Sequence, residues 1–459
     1  MGNCMSTNKK QPRALNGEQF EIAIVGGGIC GLILAIGLLK RNVKITIYEQ
    51  SRSFREIGAG VAFTANAIQC MRLIHPGIVD ALKTVATSNG DPNDPNDYLQ
   101  YADGFNQKEG EESKILFKLY AGYRGFEGCH RAHLLDELVK LVPENVVQFS
   151  KRLDHYTDPE DGGKLTLHFE DGSSAEADAV IGCDGIKSKV RQGLLGENNP
   201  ASYPAYSHKC AFRALVPMDR AAAALGDEVA KNQRMHYGPS AHILHFPVAH
   251  QTLMNVVAFL DDPTERSYSS KLSEPGSKEE VVQAFAKWGP TVRTITNLLD
   301  DEMDKWFIFD TNNHPAPTYA SGRVCIAGDA AHASSPHHGA GAGVGVEDAL
   351  ALSRLLELVT DSLNNGAQIS KQEALKAAFA AFDAVRRERT QWFVRSSRMI
   401  CDVYELKHAE TGTDIQKIYE EIKWRSHKIW YFDIDGMLRQ VEDQYKARFN
   451  GDYISKSML

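Results

Sequence analysis

The sequence predicts an α/β protein with a Rossmann-type unit, a separate antiparallel sheet and helices toward the end of the chain. An apolar β-branched run at 22–25 leads into glycines and then helical spacing over 29–40, and a second such run covers 43–48. Four alternating apolar and polar runs follow between 207 and 260, as is typical of antiparallel strands. From 349 onward, apolar residues recur with helical spacing.

The glycines of the first unit stand at Gly26, Gly28 and Gly31, which is the G-x-G-x-x-G spacing. In this pattern the first glycine makes the tight turn, the second lets a pyrophosphate approach the backbone, and the third lets the helix pack on the strand. The helix N-terminus then offers unpaired N–H groups to the phosphates. Glu49 follows Gly31 by 18 residues, close to the ~20 expected for a carboxylate that binds ribose hydroxyls. The sequence therefore predicts an adenine dinucleotide site here.

The size and charge of the chain exclude some classes of function. With 459 residues it is long enough for two or three domains, and its formal charge of −8 argues against nucleic-acid binding. Its eight cysteines form no C-x-x-C pair, which favours free thiols in a reducing compartment, so we expect a cytoplasmic protein. No apolar run reaches the 18 residues of a membrane helix.

Residues 1–19 lack periodicity and predict a flexible tail. The first six residues fit the N-myristoylation pattern, with Gly2 as the acceptor and Cys4 available for a second chain. The alternative is a plain polar leader. We therefore expect no membrane association unless Gly2 is acylated.

The motifs predict a discontinuous domain organisation. Residues 20–195 and 305–375 are expected to form the dinucleotide-binding domain, 196–304 a substrate domain, and 376–459 a C-terminal helical region. Residues 88–113 are turn-rich and charged, which predicts an exposed connection.

Two further motifs follow the glycine-rich turn. The first is Asp184-Gly185, within a stretch that ends at Arg191. The second is a strand that ends in Gly328-Asp329, where a carboxylate stands at the edge at which α/β folds bind ligands. The glycines at 339–343 then leave a nearly bare backbone at the start of a helix, an end that favours negative charge.

These three motifs, in this order, resemble the signatures of class A flavoprotein monooxygenases. The chain is similar to the salicylate-hydroxylase-like branch, especially its fungal phenol-oxidising members, over about residues 21–445. The resemblance implies a fold similar to p-hydroxybenzoate hydroxylase, with FAD as cofactor and NADPH or NADH as co-substrate.

The resemblance also implies contacts to FAD at the positions that match the family motifs: Gly26, Gly28, Gly31, Glu49, Ala62, Arg131, Asp184, Asp329 and Ala342. The chain departs from the family in two places. His337-His338-Gly339 follows Pro336, where His-Gln-Gly is frequent, and Val344 replaces a frequent amide side chain. Neither change removes a backbone contact, but both leave the polarity around the flavin open.

In this family, reduced flavin and O₂ form a C4a-hydroperoxide, and the protein excludes water and activates the substrate. A phenol reacts as phenolate, although its pKa is about 10, and a nearby guanidinium lowers that pKa. Arg213 is the candidate, because it interrupts an apolar strand run and matches an arginine that the fungal dearomatising members use in this way. The alternative is a structural ion pair at a sheet edge.

Three aromatic residues are further pocket candidates. Tyr237 is expected to act beside Arg213, and Phe246 and Tyr120 to bind substrate. Ordinary core packing is the alternative for Phe246, and an ordinary loop aromatic is the alternative for Tyr120.

The resulting hypothesis is a monooxygenase that uses FAD, NAD(P)H and O₂ on a small phenolic substrate, with dearomatisation of a polyketide-type phenol as a specific case. A decarboxylating salicylate-type hydroxylase, a flavin oxidase or dehydrogenase without hydroperoxide chemistry, and an FAD-dependent sensor are the alternatives. We expect no metal site, because His332, His337 and His338 lack a Cys or carboxylate at ligand spacing. No G-x-S-x-G elbow supports a hydrolase.

Overall fold

The computed structural model describes residues 20–54, 60–91, 94–122, 125–159, 162–365 and 369–449. The predicted tail at 1–19, with Gly2, lies outside these ranges. The strands are β1 (Glu21–Val25), β2 (Lys44–Tyr48), β3 (Gly60–Thr64), β4 (Gly90–Asp91), β5 (Asp94–Pro95), β6 (Tyr98–Asp103), β7 (Ile115–Tyr120), β8 (Phe126–His130), β9 (Val147–Gln148), β10 (Leu153–Thr157), β11 (Leu165–Phe169), β12 (Ser174–Ala177), β13 (Ala179–Gly182), β14 (Ala205–Pro217), β15 (Arg234–Gly238), β16 (Ala241–Val248), β17 (Leu253–Asp261), β18 (Ser273–Ser277), β19 (Glu302–Asp310), β20 (Ala320–Ser321) and β21 (Val324–Ile326). The helices are α1 (Ile29–Lys40), α2 (Ala65–Ile74), α3 (Pro76–Val85), α4 (Arg131–Val139), α5 (Lys189–Leu195), α6 (Met218–Leu225), α7 (Asp227–Ala230), α8 (Lys278–Ala284), α9 (Pro290–Asn297), α10 (Asp329–His332), α11 (Gly341–Asn364), α12 (Lys371–Tyr404), α13 (Ile415–Trp430) and α14 (Ile434–Phe449).

A six-stranded sheet forms the first layer, in the order β20-β21-β13-β1-β2-β9. All of its strands are parallel except β20, and β1 lies between β13 and β2. The chain therefore leaves β1 at the point where the strand order reverses, which is where open α/β sheets bind ligands. The apolar residues of β1, α1 and α11 form the core around this sheet.

A second, eight-stranded sheet has the order β18-β19-β14-β17-β16-β15-β6-β7. It is antiparallel except where β15 pairs with β6 in parallel. The two sheets with helices on them confirm the predicted α/β class. The prediction of an exposed connection at 88–113 is wrong for 98–103, because β6 lies inside this sheet with Leu99–Ala102 buried. The turn residues around it obscured a short apolar run.

The two faces of the eight-stranded sheet pack differently. One face, which we call the outer face, carries Phe212, Ile243 and Val256 and is covered by α6, α8 and α9. The opposite face, which we call the inner face, carries Met235 and Tyr237 and packs on residues of α11, α12 and α13. The 34-residue helix α12 spans from the first core to this second one. Any site between the sheets must therefore use the inner face.

A buried group of charges joins α11 to α12, and we call it the acid–arginine cluster: Glu347, Asp348, Arg386 and Arg389. Arg386 is fully buried and donates to Asp348 at 2.8 Å and to Glu347 at 2.8 Å. Burial raises the pKa of Asp348, but the charges of His332 and Arg386 outweigh this and hold it at about 2. The carboxylates are therefore ionised.

The cluster reaches into the ligand loops as well. Asp348 also accepts from the backbone N–H of Gly328 at 3.0 Å and contacts His332 at 2.5 Å. Glu347 accepts from Asn66 at 2.7 Å. The Gly328-Asp329 loop is thus tied to the start of α11 through a single carboxylate.

None of the described helices is long and apolar enough to cross a membrane. Seven of the eight cysteines lie in the described ranges, and these seven form no disulfide.

Loss of Arg386 should destabilise the protein strongly, because Asp348 and Glu347 would stay buried with too little positive charge. We expect Arg386→Met to lower the free energy of unfolding by about 3–5 kcal/mol, measured by guanidinium unfolding at neutral pH. The pKa of Asp348 is depressed, so its contribution is present above the ordinary pKa of an aspartate and is lost as the pH falls toward about 2.

Arg387→Met is the matched control, since Arg387 pairs with Asp383 on the same helix but is 39% exposed. Its cost should stay under about 1 kcal/mol. Equal unfolding midpoints for the two variants would contradict a structural role for the cluster.

Candidate functional site

The glycine-rich turn follows β1. Gly26 has φ +101°, and a side chain there would overlap the carbonyl oxygen of Cys183. A side chain at Gly31 would overlap the carbonyl oxygen of Gly26. Both glycines are thus required by the turn and by the packing of α1.

Gly28 is different, because the fold does not require a glycine there. Its backbone has φ −69°, which any residue adopts, and a Cβ at this position would meet no atom within 4 Å. The space in front of Gly28 is therefore open. A glycine that the protein itself does not need fits a phosphate that approaches the backbone.

Two helices begin at this site without a cap. Neither α1 nor α11 has a side chain that caps its N-terminus, and neither has an acid in its first turn. Each helix end therefore keeps N–H groups and partial positive charge for an anion. Ala342 lies in the first turn of α11, as expected of a residue that offers backbone to a flavin.

The two acids expected to bind FAD are placed at the same edge. Glu49 follows β2 and accepts from the N–H of Gly27 at 2.7 Å, with its other oxygen accepting from Ser51 at 2.8 Å. Asp329 is exposed at the start of α10 and makes no hydrogen bond within the described part of the chain. Its carboxylate is available to a ligand hydroxyl, and Glu49 has lone pairs left for a ribose.

Asp184 is placed beside the turn, but its carboxylate is used locally. It accepts from Ser188 at 2.5 Å and from the N–H of Lys189 at 2.7 Å, so it holds the first turn of α5. Burial raises the pKa of Asp184 despite these bonds. The structure thus brings the backbone of Asp184 next to Gly26 and turns its side chain away into its own loop.

The guanidinium of Arg191 also binds the backbone of neighbouring loops. It is 2% exposed and donates to the carbonyl oxygens of Ala201, Ala330 and Ala331. Burial lowers its pKa to about 10. This arginine therefore fixes the loop that carries Asp329.

The ribbon β3–β8 packs on β16 of the eight-stranded sheet. Ala62 pairs with Gly128 in this ribbon, and Arg131 follows it as the first, exposed residue of α4. Phe246 of β16 packs on the ribbon: its ring is 5.8 Å from that of Phe126, and a Cβ on Gly60 would lie 2.8 Å from it. Phe246 thus positions the ribbon that carries two of the expected FAD contacts.

The register of the eight-stranded sheet decides which residues share the inner face. Arg213 pairs with Val257, which pairs with Leu244, which pairs with Met235, so these four share a face. Tyr237 is two residues from Met235, and Phe246 is two residues from Leu244. Because side chains alternate along a strand, both lie on this same face. Strand spacing of about 4.8 Å puts the strands of Arg213 and Tyr237 about 14 Å apart, so the two side chains do not converge on one atom.

Arg213 makes no ion pair or hydrogen bond with any other described residue. Its Nε is buried and has no partner, and its guanidinium lies 5.6 Å from the ring of Trp306. The paired residue on β19 is Asp304, yet no salt bridge forms between them. Burial and the charge of Arg131 lower the pKa of Arg213. β14 is also an internal strand, so the alternative of an ion pair at a sheet edge is not what the geometry shows.

Two further polar groups on the inner face lack partners. The hydroxyl of Tyr237 is buried without a hydrogen bond among the described residues, as is Nδ2 of Asn255. Burial raises the pKa of Tyr237. Asn255, which pairs with Phe246, was missed by the sequence reasoning. It interrupts an apolar strand in the same way as Arg213, and that signal was available.

Tyr120 is not brought to this group. It pairs with Tyr98, which is three residues, an odd number, from Tyr101 of the inner-face Tyr101–Phe117 pair. It is 45% exposed, and its ring lies 5.2 Å from the tilted ring of Tyr98. Tyr120 therefore lies on the outer side near the sheet edge, apart from Arg213.

The histidines that follow Pro336 are also inner-face neighbours. His337 lies 3.2 Å from His242 of β16, and donor atoms of His242, His337 and Cys401 lie within 4.8 Å of one another. The sequence reasoning missed His242, Cys401 and Glu405 as partners of this loop. They lie far apart in the chain, and no motif links them.

Comparisons with known proteins identify the family of the chain. The profile described as "FAD binding domain" matches residues 19–362. The FAD-dependent monooxygenase pigN of Monascus ruber is 55% identical over 431 residues, covering 94% of this chain and 98% of that protein. Salicylate hydroxylase asL1 of Sarocladium schorii is 49% identical over 448 residues, covering 95% and 93%.

Solved structures show the same architecture. A salicylate hydroxylase in a substrate complex has a TM-score of 0.78 and 29% identity, and the match covers 92% of this chain and 98% of that one. The matches extend over both sheets, and they confirm the resemblance that the three motifs carried. The chain therefore belongs to the FAD-binding-domain family of flavin hydroxylases and is a FAD-dependent monooxygenase.

Proposed function

We propose that this monooxygenase hydroxylates a phenolic substrate, with NADPH or NADH as reductant, and that Arg213 holds the substrate as phenolate. The unpaired Arg213 guanidinium on the inner face is the observation that carries the proposal. The Nε of this half-buried guanidinium has no partner among the described residues, and its positive charge favours an anionic ligand. Phenolate is such an anion, and it is also the reactive form of a phenol.

FAD would be held across the end of the six-stranded sheet. Gly28 and the N-terminus of α1 would receive the pyrophosphate, Glu49 the adenosine ribose, and Asp329 the ribityl region. The first turn of α11, with Ala342, would face the pyrimidine edge of the flavin. When bound and reduced, FAD supplies the electrons that activate O₂ for transfer to the substrate.

The protein residues would do the rest. Arg213 lowers the pKa of the phenol, and the hydroxyl of Tyr237 and the amide of Asn255 offer hydrogen bonds on the same face. Tyr237 stands about 14 Å from the strand of Arg213, so it would bind a second oxygen of a larger substrate. This spacing supports a phenol with an extended side chain or several rings, such as a polyketide-type phenol that undergoes dearomatisation.

A decarboxylating salicylate-type hydroxylase is a second candidate. It is supported by the names of asL1 and of the solved salicylate hydroxylase. Arg213 would then pair with the carboxylate of the substrate. The two candidates differ in product, because only the second releases CO₂.

The test of the function is NADPH and NADH oxidation by the purified FAD-loaded enzyme, with simple phenols, extended phenols and salicylate. We expect phenol-dependent oxidation and a product heavier by one oxygen atom. Salicylate turnover with loss of CO₂ would favour the second candidate. NAD(P)H oxidation with no oxygen in any product would contradict both and indicate an oxidase.

Gly28→Val should abolish FAD binding without unfolding the protein. The side chain enters space that is open in the protein and that the phosphate needs. We expect a colourless protein, and since valine is a poor helix N-cap, unfolding should become easier by only about 1 kcal/mol. Flavin absorbance and thermal unfolding of the FAD-free protein are the measurements.

Gly31→Ala is the contrast, because its side chain would strike the backbone of Gly26. It should lose folded protein as well as FAD. A yellow Gly28→Val protein with full flavin occupancy would show that the pyrophosphate lies elsewhere.

Arg213→Ala should keep FAD, because Arg213 makes no hydrogen bond or ion pair with another described residue. A change of two to three units in the pKa of the bound phenol is worth about 3–4 kcal/mol, which lowers the rate at neutral pH by about 10²–10³-fold. Raising the pH toward the pKa of the free phenol should restore part of the rate. Arg213→Lys should retain more activity, since a point charge remains.

Arg234→Lys is the control for the same sheet, because Arg234 lies on the outer face and donates to Gln100 at 2.9 Å. Its turnover should remain near that of the unmodified protein. Normal turnover of Arg213→Ala at neutral pH would remove Arg213 from the proposed mechanism.

A further inference from the structure

A continuous line of hydrogen bonds runs inward from the loop before α11. Nδ1 of His337 is 3.2 Å from Nε2 of His242, and Nδ1 of His242 is 3.2 Å from Oε1 of Glu405. Cys401 donates its S–H to the same carboxylate oxygen at 3.3 Å. All four side chains are buried. Buried polar groups in such a line are fixed in one arrangement, because any other leaves a group unpaired.

Glu405 is held as a carboxylate. Its second oxygen contacts Lys209 and accepts from Lys407 at 3.0 Å, and Lys407 also binds Asp261 at 2.7 Å. Burial raises the pKa of Glu405, but the hydrogen bond from His242 and the charge of Lys209 outweigh burial and lower it. Glu405 therefore only accepts hydrogen bonds.

The charge of Glu405 determines where the protons of both histidines lie. Since Glu405 accepts, His242 carries its proton on Nδ1, and its Nε2 is a lone-pair acceptor. His337 must then donate from Nδ1 to His242. This leaves the lone pair of the His337 Nε2 directed away from the line. Nε2 makes no hydrogen bond within the described residues, and burial lowers the pKa of both histidines, which keeps them neutral.

His337 stands over the substrate side of the sheet. Its ring is 4.8 Å from that of Phe259, whose strand partner is Ala211. Phe259 is thus a diagonal neighbour of Arg213, and such neighbours are about 7–8 Å apart, within reach of long side chains. The His337 ring and the side chain of Arg213 therefore lie near the same region of the inner face.

We propose that His337 is the base that takes the proton from the phenol, and that His242 and Glu405 are its positioning residues. This inference rests on the proposed function. The O–H bond of the phenol breaks and an N–H bond forms at Nε2 of His337. The phenolate stays beside Arg213, and the charge of Glu405 stabilises the imidazolium through His242. The proton passes from His337 to water when the product leaves, and His337 and His242 are then both neutral again.

A bound metal is the competing explanation of the same atoms, because His242, His337 and Cys401 are close enough to share an ion. Two observations favour the proton path. A thiol binds metal as thiolate, whereas burial raises the pKa of Cys401. Lys209 and Lys407 also surround Glu405 with positive charge. The ionisable groups that face His337 are His242, Cys401, Glu405, Lys209 and its neighbour His338.

The test measures the ionisation of a bound phenol. FAD-loaded enzyme is mixed with 4-nitrophenol, whose phenolate absorbs visible light, and a pH indicator reports released protons. If His337 takes the proton, the phenolate band forms without proton release, and the ionised fraction is constant with pH. In His337→Gln the band should be lost at low pH and grow about tenfold per pH unit, with one proton released for each phenolate. Turnover at neutral pH should fall by about 10²–10⁴-fold.

His236→Gln is the matched control. His236 and His245 form another buried pair, with Nε2 atoms 3.1 Å apart, but on the outer face. This variant should ionise 4-nitrophenol as the unmodified enzyme does. If His337→Gln does not fold with FAD, the phenolate band and the proton release are measured in His242→Gln instead. If both are the same in His242→Gln as in the unmodified enzyme, the proposal is overturned.

The outcomes separate this inference from the proposed function. An unmodified enzyme that neither ionises nor oxidises any phenol overturns the function and the base together. Release of one proton per phenolate by the unmodified enzyme, or pH-independent ionisation in His337→Gln, overturns the base alone. Stoichiometric zinc or copper in the purified protein, lost in His337→Gln, also overturns it in favour of a metal.

Discussion

The acid–arginine cluster is the interaction on which the rest of this structure depends. Glu347 and Asp348 lie side by side in α11, and two such acids cannot be buried unless cations accompany them. Arg386 and Arg389 of α12 supply the charge, so α11 and α12 are locked in register. The helix whose uncapped N-terminus we propose for the flavin is thereby fixed to the helix that supports the inner face.

The same cluster links the loops of the six-stranded sheet to the eight-stranded sheet through α12. Asp348 holds the N–H of Gly328, and Arg191 holds the carbonyl oxygens of the next turn. Asp329 is therefore presented from a loop that is fixed at both ends. Toward its other end, α12 carries Cys401 and is followed by Glu405, which reaches His242 in the sheet. One long helix thus sets the distance between the two halves of the site.

FAD could be predicted as the cofactor from the sequence because the signals for it are local. Gly26, Gly28 and Gly31 lie within six residues, and their steric roles follow from backbone geometry that any such turn shares. Arg213 could be proposed because it is a charge in an apolar strand and matches an arginine position of the family it resembles. The strand at 98–103 was missed because the turn residues around it outweighed four buried residues in the pattern. The pairing of His337 with His242 and Glu405 could not be predicted, because it depends on how α12 crosses the sheet.

Asp184 and Arg191 show a second limit of motif reasoning. The motif correctly located a loop beside the cofactor turn, but the side chains bind their own backbone and that of the neighbouring loop. A motif can thus mark a loop whose side chains also hold the loop itself, and the contact of Asp184 with FAD stays a prediction. Arg213, Tyr237 and Asn255 present the opposite case: each keeps a buried polar atom without a partner, at a cost of about 1–3 kcal/mol per group. Since these three unsatisfied atoms add no hydrogen bond to the fold, their hydrogen-bonding capacity is available to a ligand, which supports the substrate site proposed on the inner face.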